Sequence, residues 1–334
     1  MFLKEQNMNN ESSVSDFLLL EFSDIWDWQI MCFIGFLVFY LAAVVGNLLI
    51  ISAVASDHHL HTPMYFFLMN LAMQDVGQVS VIIPKAMTNT LMNCRHISYS
   101  GCVAQVLFFV SFTVSDFSLL TVMAYDRYVA ICSPLLYQNV MNKQACIQTI
   151  TIVWIFSFFY GVLHTGGTFA SPFCSNVVNQ FFCEIPALLK LACSDLYLFE
   201  IGLVFFGCFV GIGCSIFIVV TYVHIFSAVL RMPSAQGRQK AFSTCVPHLM
   251  VLFLFLFSGF FAYLKPTSNS NSPLNLAFAM IYFMVPPLMN PVIYSMRNRD
   301  IKDALSKMLG LQSSSSCVFS ILFMQKCKHK HNQS

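Results

Sequence analysis

The stretch LFEIGLVFFGCFVGIGCSIFIVVTYVHIFSAVL, residues 198–230, is longer than the about 20 apolar residues that carry a helix across a hydrocarbon core. Six further blocks of the same kind run at about Trp28 to Ala55, Pro63 to Leu91, Tyr99 to Ile131, Ala145 to Thr165, Ala241 to Leu264 and Leu274 to Tyr294. The last is interrupted by Pro286, Pro287 and Pro291, which a membrane helix tolerates where neighbours satisfy the freed backbone groups. Composition agrees: 57% of residues are hydrophobic and 10% charged, and the mean hydropathy is +0.70, so charge is too scarce to coat one soluble globule. The expected fold is an all-α membrane protein, a seven-helix bundle.

Seven crossings put the termini on opposite sides. With the N-terminus outside, only Lys4, Lys85, Arg95, Lys190 and Lys265 of the 17 Lys and Arg face out, and the excess inside favours that orientation. The expected organisation is an extracellular tail over residues 1–27, a membrane domain over 28–294, and a cytoplasmic helix and tail over 295–334. The tail is acidic and shows no cleaved signal sequence. Asn10-Glu11-Ser12 within it fits an N-glycosylation sequon. The C-terminal run Val318 to Met324 is too short to span and reads as a surface-lying or disordered end.

Topology also sorts the 13 cysteines. Cys94, Cys102, Cys174, Cys183 and Cys193 face the oxidising side, where disulfides persist. The loop from about Gly166 to Tyr197 is long and hydrophobic enough to fold back as a lid, and a bridge to Cys102 would pin it over the bundle mouth; the residues alone leave the pairing open.

Ionisable residues at membrane depth are costly and mark function. Asp75 and Asp116 qualify, with no basic partner in the membrane and with Asn47, Ser115 and Asn290 as the amides and hydroxyl available to them. Converging oxygens of this kind either hold a small cation, sodium, or form a neutral network with one acid protonated. Asp126-Arg127-Tyr128 closes the third helix; the pair is either a switch that holds the guanidinium inward or an ordinary end-of-helix pair reaching the interface. No basic cluster suited to nucleic acid stands out, and no pseudo-symmetric halves point to a transporter. His58, His59 and His61 cluster in a short loop, but HExxH and GxSxG are absent, so an enzyme is not expected.

Two stretches are more specific. Leu60-His61-Thr62-Pro63-Met64-Tyr65-Phe66-Phe67-Leu68 and Met123-Ala124-Tyr125-Asp126-Arg127-Tyr128-Val129-Ala130-Ile131-Cys132 resemble the diagnostic segments of vertebrate odorant receptors, rhodopsin-like G-protein-coupled receptors. Lys240 to Cys245 with His248-Leu249, Pro287 to Asn298, Gly46-Asn47 and Thr221-Tyr222 are similar to further family segments, from about Asp16 to Leu309 overall, and Thr62-Pro63 points to the tetrapod-type, class II branch.

The resemblance implies a lid disulfide Cys102–Cys183, a second loop bridge Cys174–Cys193, and a short amphipathic cytoplasmic helix. It implies a cation site at Asp75 and Asp116 with Asn47 and Asn290, no other cofactor, and release of Arg127 toward a G protein with Tyr222 and Tyr294 as its partners. It implies a pocket in the outer half lined by Phe109, Val110, Thr113, Phe206, Val210, Leu256, Phe260 and Tyr263. With so few polar groups, that pocket suits a small, mostly apolar volatile rather than an amine or carboxylate. The implied partners are such an odorant, membrane lipid and a stimulatory olfactory G protein with cyclic AMP as output, at the plasma membrane of sensory cilia. The alternatives are a rhodopsin-like receptor for a non-odorant small molecule and, more remotely, a transporter. Two departures stand out: Pro247, where the family usually has Ser, puts a helix breaker in the sixth helix, and Leu256 replaces a Tyr found in many members.

Overall fold

Strong apolar runs make the long helices, and polar residues at their ends start them. In the computed structural model, which describes residues 15–20, 26–92, 94–193, 197–263 and 273–310, the long helices are α1 (Trp26–Ser56), α2 (Pro63–Met92), α3 (Tyr99–Cys132), α5 (Lys143–Phe169), α7 (Tyr197–Arg231), α8 (Ala235–Tyr263) and α9 (Pro273–Arg297). Ser98 caps α3 by accepting from Gly101 N at 3.1 Å, and Asn142 caps α5 by accepting from Ala145 N at 2.9 Å. Pro63 opens α2 at a position where no backbone donor is missed. Six of the seven, all but α9, are long and apolar enough to cross a membrane among the described residues. The seventh, α9, runs through Pro286, Pro287 and Pro291 and closes the bundle against α1, α2 and α8.

Short elements finish the two mouths. At one end lie α4 (Tyr137–Val140), a single turn at His58–Leu60, and α10 (Arg299–Met308), whose Ile301 and Ala304 are buried. Its cap Asn298 accepts from Asp300 N at 3.0 Å, and Tyr65 of α2 donates to Asn298 Oδ1 and Asp300 Oδ2 at 3.1 and 2.7 Å. We call this the α10 end.

The opposite, lid end holds α6 (Ile185–Leu189) and a three-stranded sheet that a helix-only reading of the sequence does not contain. β1 (Asp16–Leu19) lies between β2 (His96–Ser98), antiparallel with Phe17 opposite Ile97, and β3 (Val177–Val178), parallel with Leu18 opposite Val177. Four residues of the acidic N-terminal segment are therefore built into the lid, and Phe17 and Leu19 are fully buried there with Cys102, Cys183 and Leu188.

Pro247 leaves α8 continuous from Ala235 to Tyr263. At the α1–α9 crossing Gly46 lets the two helices approach closely: a Cβ there would meet Pro291 Cγ at 3.1 Å, and the helices would have to shift by a few tenths of an ångström.

Candidate functional site

Polar side chains run down the bundle from lid to α10 end, each brought in by a different helix. At the lid end, Cys102 on α3 is bonded to Cys183 and Cys174 to Cys193, both with Cα atoms 5.5 Å apart. Gln105, one turn along α3 from Cys102, accepts from Cys183 N at 3.1 Å and donates to Val81 O of α2 at 3.2 Å. The bridge thus carries Phe181 and Phe182 into the bundle mouth, where both are buried. Phe182 meets Phe109 of α3 edge-on at 5.4 Å and Phe283 of α9 at 5.9 Å.

The predicted pocket residues divide. Phe109 sits under the lid phenylalanines, Val110 packs with the sheet cluster, and Thr113 has a buried hydroxyl without a hydrogen-bond partner among the described residues. Val210 is half-buried. Phe206 and Leu256 are 51% and 41% exposed, and Phe206 leans on Tyr160 of α5. The side chains of Phe260 and Tyr263, and all of Asn10, lie outside the described residues.

Midway, Asn290 of α9 donates to Asp75 Oδ2 of α2 at 2.9 Å, and Gln74 donates to Ser115 Oγ of α3 at 2.6 Å. Asn47 of α1 spends its amide hydrogens on Ala43 O and Pro287 O, at 2.9 and 3.0 Å. Its Oδ1, Gln74 Oε1, Asp75 Oδ1, Asp116 Oδ1 and Asn290 Oδ1 are all buried and find no hydrogen-bond partner among the described residues. Orphaned oxygens of this density are costly unless something positive answers them.

At the α10 end Arg127 is paired with Asp126, through both Nε, at 3.0 Å, and Nη2. Tyr137 of α4 donates to the other carboxylate oxygen of Asp126 at 2.8 Å. Burial first, and then the charge of Asp126, push the Tyr137 phenol above its ordinary pKa, so it stays a donor. Tyr128 is half-buried, its ring 6.5 Å from Tyr125 and 6.1 Å from His224.

Tyr222 of α7 is not on Arg127 in this structure. His248 of α8 directs Nε2 to Leu120 O of α3 at 3.0 Å, and a carbonyl only accepts. Its Nδ1 is left to accept from the Tyr222 hydroxyl at 2.6 Å. One imidazole thus ties α3, α7 and α8 together, while the Tyr294 hydroxyl is buried without a partner among the described residues.

Sequence reasoning gave no role to His248, Tyr137, His164 or Glu200. The last two pair across α5 and α7 with Glu200 fully buried. The depth rule that singled out Asp75 would have found His248, His164 and Glu200; Tyr137 sits in a loop and gave no such signal. A cavity of about 280 Å³ also opens between α3, α4, α5 and α7 toward the α10 end, and it contains none of the predicted pocket residues.

The fold and this polar column define a class: squid rhodopsin superposes over 87% of this chain and 88% of its own with a TM-score of 0.65, at 16% sequence identity. The chain has a rhodopsin-like seven-helix fold. Within that class, the sequence model described as "Olfactory receptor" matches residues 36–312. Human olfactory receptor 14A16 is 46% identical over 90% of this chain and 98% of its own length, and human olfactory receptor 14I1 is 48% identical over 89% and 96%. The chain belongs to the olfactory receptor family, a family of multi-pass membrane receptors.

Proposed function

We propose that this receptor binds a small, mostly apolar volatile molecule beneath the lid and, on binding it, activates a stimulatory heterotrimeric G protein that raises cyclic AMP. The observation that carries the reading is Arg127: its guanidinium is buried and held by Asp126 while His248 clasps α8 to α3. A ligand shifts such an equilibrium only by preferring one state. The preferred state is one in which the α10 end of α8 swings away and Arg127 turns from Asp126 toward the partner, with Tyr222 and Tyr294 receiving it.

The ligand site is placed in the outer half among Phe109, Val110, Thr113, Phe206, Val210, Leu256, Phe260 and Tyr263. The unpartnered Thr113 hydroxyl supports one hydrogen-bonding group in the ligand. Asp75, Asp116, Asn47 and Asn290 would hold a sodium ion, and the orphaned oxygens there fit a hard cation. It would supply one positive charge, which balances one of the two acids. The lid end is assigned to the outside, with Asn10 glycosylated, and the plasma membrane of sensory cilia is the assigned site.

The test is a cyclic AMP response in transfected cells to a panel of volatiles. Arg127→Ala should abolish it at unchanged surface expression, and Ser315→Ala should leave it intact. A response confined to peptides or metabolites would move the reading to a non-odorant receptor.

A further inference from the structure

We propose that the cavity between α3, α4, α5 and α7 is a second small-molecule site, which takes an uncharged lipophilic alcohol or phenol of about ten heavy atoms from the bilayer. Its size sets the first limit. At roughly 30 Å³ for each water-sized group, about 280 Å³ encloses nine or ten heavy atoms.

The walls set the second limit. Val140, Met141 and Ala145 form one side, and Tyr125 of α3 and Phe217 of α7 the other, with ring centroids 6.3 Å apart. Tyr125 and Phe217 are 38% and 43% exposed, so the cavity opens on the outer flank of the bundle near its α10 end. No Asp, Glu, Lys, Arg or His lines the cavity, which leaves a charged occupant without a counter-ion.

Hydrogen bonding sets the third. Thr121 spends its hydroxyl hydrogen on Phe117 O at 2.9 Å and keeps its oxygen as an acceptor. The hydroxyls of Tyr125 and Thr149 make no hydrogen bond among the described residues. A hydroxyl on an apolar body answers these groups while its body fills the apolar walls.

The cavity also touches the Arg127 lock. Met141, a wall residue, donates its N–H to Tyr137 O at 2.8 Å, and the Tyr137 hydroxyl holds Asp126. An occupant wedged between Tyr125 and Met141 braces α4 on α3 and so keeps Tyr137 on Asp126. The site is therefore modulatory and separate from the pocket beneath the lid.

The test uses full-length receptor in lipid nanodiscs and a diazirinyl phenol of about ten heavy atoms, with the label mapped by peptide mass spectrometry. Label is expected on the segments that hold Tyr125, Met141 and Thr149, reduced at least five-fold by Ala145→Trp or by Thr149→Phe, each of which fills the space, and about two-fold to ten-fold by Tyr125→Phe. If Ala145→Trp does not fold, Thr149→Phe decides. Label found only beneath the lid, or undiminished by the filling substitution that folds, overturns this site and leaves the lid pocket standing. Label at α3, α4 and α5 with none beneath the lid upholds this site whatever becomes of the odorant reading.

Discussion

At the lid end a covalent bond joins Cys183 to Cys102 across 81 residues, a second joins Cys174 to Cys193, and an N-terminal strand is laid between two loops by backbone hydrogen bonds. At the α10 end no disulfide joins the helices among the described residues; Arg127 rests on Asp126, Asp126 on Tyr137, and His248 bridges Tyr222 to Leu120 O. Each of those links is a hydrogen bond or ion pair worth about 1–3 kcal/mol, so the two ends differ in how cheaply they can rearrange. A receptor that must keep its ligand chamber in shape while changing its opposite face needs that asymmetry. Under the proposed function, stiffness lies where the ligand would bind, and weak, exchangeable bonds lie where the signal would leave.

The lid disulfides give the strongest way to break this comparison. Closing a loop of 81 residues restricts the unfolded chain by about 4.5 kcal/mol and closing one of 19 by about 3 kcal/mol. Cys183→Ala should therefore leave little folded receptor, and Cys193→Ala should leave a reduced but measurable amount. Thermal unfolding in detergent ranks the two. If any substitution at the α10 end costs as much as Cys183→Ala, the asymmetry is not real.

Next in size is Phe17→Ala. The ring is fully buried, 5.2 Å edge-on to Phe173 and 6.1 Å from Tyr99, and its loss should cost about 3 kcal/mol or more. The damage should stay local: amide exchange at His96 to Ser98 and Val177 to Val178 should speed up, while the segment around Arg127 keeps its protection. Faster exchange at both ends would show that lid and lock unfold as one unit.

His248→Phe tests the other end. It keeps the ring but leaves the Tyr222 hydroxyl unanswered in the core and takes the extra donor from Leu120 O, a cost of about 1–3 kcal/mol. Spin labels on α3 and α8 near their α10 ends should report a longer and broader distance. Tyr222→Phe combined with His248→Phe should cost less than the two separate losses together, because both remove the same bond.

The sequence was most legible where a single residue's surroundings decide its place. Each apolar block, charge-poor over 20 residues or more, lies on one helix as far as it falls within the described residues, and Asp75 and Asp116 stand out because acids are rare in such runs. Glu200 followed the same rule but was overlooked: it is the third residue of its block, where a charge reads as a boundary marker. The structure instead buries it against His164, 36 residues away in sequence on another helix. That pairing depends on which helices are neighbours, and no local pattern records it. β1 was hidden for a related reason, since four residues in an acidic tail carry no strand signal until β2 and β3 supply partners. His248 was quoted as part of a motif, yet its bridging role depends on the crossing of α3, α7 and α8.

The smallest expected effect concerns the turn beside α10. Asp57 accepts from His59 N at 3.0 Å, and Lys307 of α10 stands 3.8 Å from its other oxygen with its side chain 76% exposed. That backbone hydrogen bond first, then Lys307 and the neighbouring histidines, lower the Asp57 pKa below 3.8. A lowered carboxylate pKa means that its contribution is present above pH 3.8 and disappears as pH falls through the lower folded-state value, so nothing should change between pH 5 and 8. Asn caps as well as Asp but carries no charge. Asp57→Asn should therefore leave amide exchange at His59 and Leu60 unchanged at neutral pH, whereas Asp57→Ala should speed it. Lys307→Ala should do nothing measurable, since an exposed pair at this distance is screened by solvent. A clear loss with Lys307→Ala would mean that α10 is pinned by charge as well as by the Tyr65 hydroxyl and the buried face of Ile301 and Ala304, and the α10 end would be stiffer than its weak bonds imply.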